Sequence, residues 1–213
     1  MSTEVLRQQG VRAAGVRRGR QLEYLTIGWN SLEAAVAVGA GLLAGSIALV
    51  GFGVDSVIES LSGAVLLWRL AASGEDRERA ALKIVGVSFL ALAAYVAFDA
   101  AKSLLAHEPP DASYIGIALA VASLIVMPLL ARAKRRVAAT LNSRAMLADS
   151  RQTDICAYLS AILLVGLVLN GLLGWWWADP VAALVMIPII SKEAFEALRG
   201  EACGCTTSCK SSS

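Results

Sequence analysis

Six long apolar runs divide the chain, at roughly residues 22–44, 46–69, 81–105, 112–133, 148–173 and 177–198. None alternates polar and apolar positions with a period of two, so each reads as helix rather than strand. About 20 mostly apolar residues cross the roughly 30 Å of hydrocarbon in a bilayer, and every run reaches that length. Lipid offers the backbone no hydrogen-bond partner, which leaves helices or closed barrels as spanning structures. The pattern predicts an all-α, polytopic membrane protein: a six-transmembrane-helix bundle. Turn chemistry marks the breaks at Gly45-Ser46, Ser73-Gly74, Pro109-Pro110 and Asp179-Pro180.

Composition agrees. The chain is 57% hydrophobic and 17% charged, where soluble domains are about 45–50% apolar and about 25% charged. A net charge of +2 gives no reason to expect nucleic acid as a partner. Three segments are expected: a basic cytoplasmic stretch at 1–21, the six-helix domain at 22–198 and a Cys-rich tail at 199–213. The basic start lacks the short apolar region and cleavage site of a signal peptide.

Lys and Arg set the expected orientation. Arg7, Arg12, Arg17, Arg18 and Arg20 precede the first run. Arg77, Arg79 and Lys83 fill the second connection; Arg132, Lys134, Arg135, Arg136 and Arg144 fill the fourth. The first, third and fifth connections hold none. Both termini are therefore expected in the cytoplasm, in a plasma membrane of the bacterial type. Trp175, Trp176 and Trp177 fit an outer interfacial belt. Lys102, near the outer end of the third run, can snorkel.

Ionisable groups at membrane depth are costly, roughly 2.5–3.5 kcal/mol each on insertion scales, and mark functional sites by default. In "ALVGFGVDSVIESLSG", Asp55 and Glu59 stand four residues apart and share a helix face. A proton on one relieves their repulsion; a divalent cation relieves it better, since carboxylate oxygens ligate Zn²⁺. The plainer alternative is a protonated or Ser-bonded pair that holds helices together. Asn30 and Glu33 share a face in the first run, which lines a pore or bonds to the second. Asp99, with Lys102 three residues on, reads as a structural pair.

The fifth run opens "LADSRQTDICAYLS". At about 100° per residue, Asp149, Gln152, Cys156 and Ser160 share one stripe, with Ser150 and Asp154 nearly opposite. Either Gln152 and Cys156 or Asp154 faces Asp55 and Glu59. At 1.5 Å per residue, Cys156 lies roughly 28 Å below Trp175 and Asp149 roughly 39 Å below it, so Asp149 reads as a residue of the cytoplasmic mouth.

The ordered set "WNSLEAAVAVGAGLLAGSIALVGFGVDSVIES", "LADSRQTDICAYLS" and "WWADPVAALVMIPII", within residues 22–198, resembles the transmembrane domain of the cation diffusion facilitator family. In that family an acidic or His residue and an acid four positions later stand in span two. A His and, four positions later, an Asp follow an Ala-Asp pair in span five. Together they form a tetrahedral Zn²⁺ site where metal exchanges for protons. Asp55 and Glu59 match the first pair and Ala148-Asp149 the Ala-Asp pair, which puts Gln152 at the His and Cys156 at the Asp. The resemblance thus implies Asp55, Glu59, Gln152 and Cys156 as ligands. Asn30, Glu33, Asp99 and Asp149 are expected, from their place in the runs, in supporting or gating roles. Ser56, Ser60 and Ser62 are expected to support the ligands. A Cys thiolate is a strong, soft ligand, so the set suits Zn²⁺ or a softer ion such as Cd²⁺.

Family members usually continue into a cytoplasmic domain that dimerises and binds regulatory metal. Here the tail "GEACGCTTSCKSSS" follows the sixth run, with Cys203, Cys205 and Cys209 expected to capture soft metal. The expected function is export of a divalent, Zn-like cation in exchange for protons. The partners are the bilayer, metal, protons and, by resemblance, a second copy of the chain. The rival is a metal-binding membrane sensor or partner subunit that does not transport. No HExxH, GxSxG or P-loop pattern accompanies the one His, His107, so neither an enzyme nor an organic cofactor is expected.

Overall fold

A computed structural model describes residues 3–71, 75–106, 110–141 and 143–199. Six helices follow in order: α1 (Thr3–Ala44), α2 (Ile47–Ala71), α3 (Glu75–Ala106), α4 (Tyr114–Leu141), α5 (Arg144–Leu173) and α6 (Ala178–Leu198). Among the described residues there is no strand. Helices α1 to α5 are each long and apolar enough to cross a membrane. Helix α6, read from the sequence as a sixth span, falls short of that measure: Asp179 stands in its first turn, and Lys192 and Glu193 lie toward its end.

Four helices close a ring. α1 packs on α2 and α4, and α5 packs on both α2 and α4. α3 and α6 pair with each other outside it and lean on α2 and α5. Phe52, Leu49, Leu159, Leu163 and Met186 fill the core. Phe98, Ile115, Tyr158, Val165 and Leu172 stay exposed, as a lipid-facing surface requires and a soluble one rarely tolerates.

The buried stripe of α1 reads Glu23, Thr26, Asn30, Glu33, Ala37, Ala40, Ala44, alternating steps of three and four as in a coiled-coil seam. Its first half is polar and its second half small. The small half lets α2 approach at backbone distance: a Cβ on Gly53 would lie 2.9 Å from the Val38 amide nitrogen and 3.0 Å from Ala37 Cβ. Small residues have this role in membrane helix pairs. Gly45, at φ +66°, turns the chain between the two helices in a region L side chains rarely adopt.

Three boundaries differ from expectation. The fourth connection does not begin at Lys134; α4 runs on to Leu141, and α5 starts just after Ser143, whose hydroxyl accepts from the Met146 amide. Lys134 and Arg135 thus ride on a helix rather than a loop. The Asp179-Pro180 break lies inside the first turn of α6, where proline costs little because the N–H it lacks has no helical partner. Asp179 is buried and accepts from Ser46 Oγ at 2.5 Å and from the Ile47 amide at 3.0 Å. A carboxylate of one helix thereby caps the N-terminus of another, where the helix dipole favours negative charge. The basic stretch before residue 22, expected as a separate segment, continues into the first span as one helix, and Gly15 and Gly19 meet Leu141 and Met146.

Candidate cation site

Asp55 and Glu59 stand a turn apart on α2, the most enclosed face of the ring, at 6% and 3% exposure. Glu59 Oε1 accepts from Thr153 Oγ1 of α5 at 2.9 Å. Ser56, between them, donates to Glu33 Oε2 of α1 at 2.8 Å. The Cys156 thiol of α5 points at the same Glu33 oxygen, 3.9 Å away, and lies among Glu33, Asp55 and Glu59. Ser160, a turn further on, donates to the Cys156 carbonyl at 2.8 Å and lies 2.9 Å from Ser123 of α4. Acidic groups of α1 and α2 thus meet the one thiol among the described residues.

A second cluster lies next to the first. Lys134 of α4 is wholly buried and places Nζ 3.3 Å from Glu23 Oε2 and 2.5 Å from Asp149 Oδ2. It also lies 3.4 Å from Thr153 Oγ1. Thr153 therefore joins the two clusters.

The expected residues sort as follows. Asp55, Glu59 and Cys156 come together, and Glu33 joins them more closely than a supporting role implied. Gln152 reaches α2 one turn further along, where its Oε1 accepts from Ser62 at 2.9 Å. Asp154 turns away: it pairs with Arg135 of α4. Of the two faces left open, the one bearing Gln152 and Cys156 meets α2. Its centre differs from the expected stripe. Asp149, Thr153, Cys156 and Ser160 form a buried polar line, in steps of four, three and four, while Gln152 is only half-buried at the rim and Ser150, expected opposite, is buried too. The packed helix follows the seam of its neighbours.

Asp149, expected at the cytoplasmic mouth, is enclosed by protein and held by Lys134. Asp99 accepts a 3.5 Å bond from Tyr95, rather than pairing with Lys102, on α3 outside the ring. Ser60 bonds the Ser56 carbonyl. Cys203, Cys205, Cys209 and His107 lie outside the described residues.

Glu23, Lys134 and Thr153 went unread in the sequence. Extending the α1 stripe one heptad back from Asn30 reaches Glu23, a signal that was present. Thr153 carries no charge to draw notice, and Lys134 looked like one of several loop cations.

The electrostatics are lopsided. Glu23, Glu33, Asp55, Glu59 and Asp149 are buried on α1, α2 and α5, and among the described residues Lys134 is the buried cation that faces them. Glu23 Oε1, Glu33 Oε1, Glu59 Oε2 and both polar atoms of Asn30 are buried without a hydrogen-bond partner. Each such atom costs about 1–3 kcal/mol, more if charged. Among the described residues, no three His, Cys, Asp or Glu side chains converge tightly enough to hold an ion as they stand.

Residues 24–201 match the profile of the cation efflux transmembrane domain family. The chain belongs to that family. It is 29% identical over 181 residues to an uncharacterized transporter of Synechocystis, covering 79% of this chain and 58% of that one. It is 31% identical over 113 residues to the cation-efflux pump FieF of Shewanella oneidensis, covering 53% and 36%. It is 29% identical over 132 residues to transmembrane protein 163 of Xenopus laevis, covering 60% and 47%. This cation efflux chain therefore spans less than two thirds of the length of these curated relatives.

Proposed function

We propose that the chain carries a divalent metal ion of the zinc kind out of the cytoplasm, in exchange for protons, across a plasma membrane of the bacterial type. The observation that carries this reading is the excess of buried acid, with spare carboxylate oxygens on Glu33 and Glu59. An acceptor-rich, donor-poor interior is completed by cations. Membership of the cation efflux family, and the names transporter and cation-efflux pump borne by two relatives, point the same way.

Asp55 and Glu59 bind the ion and Cys156 adds a sulfur, a donor set that suits Zn²⁺ or Cd²⁺. Gln152 completes the set once it leaves Ser62. Ligands must be deprotonated to bind, so loading releases protons and protons arriving from the far side displace the metal. Since no three ligands converge in the form described, loading draws α2 and α5 together.

In proteoliposomes, Asp55→Ala abolishes metal-driven proton flux; flux at the parent rate would remove Asp55 from the site. The Ser62–Gln152 bond favours a second reading, a metal-binding sensor that does not transport. Metal binding without flux in the parent protein selects it.

A further inference from the structure

We propose that Glu23 and Asp149 form a second cation site, filled by Lys134 of the same chain between transport events and taken by a divalent metal ion when Lys134 withdraws. The inference rests on the transport reading above for the ion's route, but its chemistry stands on the Lys134 cluster.

Two carboxylates from different helices converge on one point, and a cation already sits there: Lys134 Nζ lies 3.3 Å from Glu23 and 2.5 Å from Asp149. The ammonium is the stand-in ion. All three side chains are buried, so water does little to screen them. Two carboxyl groups face one ammonium, which neutralises only one of them once both are ionised, and Glu23 Oε1 keeps no hydrogen-bond partner. A divalent ion balances both carboxylates and uses the spare oxygen.

Gly63 of α2 lets that helix pack closely here: a Cβ on it would come within 3.2 Å of Ile27 Cγ1 and 3.3 Å of Glu23 Oε2. The site also adjoins the first one. Thr153 Oγ1 lies 3.4 Å from Lys134 Nζ and bonds Glu59 at 2.9 Å, so one hydroxyl separates the two positions. Lys134 stands two turns from the end of α4 on a flexible stem, so its withdrawal would carry the charge toward that end, past Val137, Ala138 and Leu141. While in place it ties α1, α4 and α5 together. Its withdrawal frees that end of the ring as the ion moves in.

The test is amine acylation of the full chain in detergent, read at Lys134 by mass spectrometry, with and without Zn²⁺. Lys134 is expected to label poorly alone and severalfold more with Zn²⁺. The gain persists when the α2 acids are neutralised in Asp55→Asn/Glu59→Gln, and is lost in Glu23→Gln. Labelling that ignores Zn²⁺ in the parent overturns the site. So does a gain that vanishes with the α2 acids, because the ion then acts only from there. A gain without flux in liposomes keeps the second site and removes transport; flux without a gain does the reverse. The parent protein alone gives the first readout, so a variant that fails to fold leaves the test standing.

Discussion

In the proposed function, ion choice turns on Cys156. Its thiol is buried between the carboxylates of α1 and α2, and sulfur favours soft ions where oxygen does not. Cys156→Ser keeps the size and removes the sulfur. Cd²⁺ affinity is expected to fall by about tenfold or more, about 1.4 kcal/mol per factor of ten, while Zn²⁺ falls less; equal losses in a titration of purified protein would take Cys156 out of the ligand set. Asp55 and Glu59 were legible because two acids at i and i+4 in an apolar run admit few explanations. Lys134 was not, because a lysine beside two arginines reads as solvated charge. Only the tertiary fold reveals that it turns inward to Glu23 and Asp149.

Among the elements, the contact of α1 with α2 carries the clearest demand. Gly53→Ala gains about 1 kcal/mol of helix propensity. Against that, the added Cβ meets the Val38 backbone at 2.9 Å, and overpacking costs about 1–3 kcal/mol. The balance is expected to be unfavourable: the variant melts at a lower temperature in detergent, and an unchanged or raised midpoint would show that the helices can part without cost. The helices themselves were legible from long apolar runs. Their ends were less so. Prolines and charges signalled breaks, yet Asp179-Pro180 opens a helix, and the basic cluster after residue 131 extends one until Leu141.

At the scale of the molecule, a ring of α1, α2, α4 and α5 surrounds buried acid, with α3 and α6 at its side. The ring could not be read from hydropathy, since apolar runs report depth and not neighbours. Once formed, it explains why carboxylates from three helices lie so near one another. In the proposed reading cations relieve their shared charge, and the Lys134 cluster and the α2 pair are two places for them. The most direct measurement of that claim uses liposomes holding one dye for zinc and one for pH. With purified protein and a zinc gradient, zinc is expected to enter as protons leave, and both signals vanish in Asp55→Asn/Glu59→Gln. Zinc entry without proton movement, or entry that survives loss of both acids, would contradict the account.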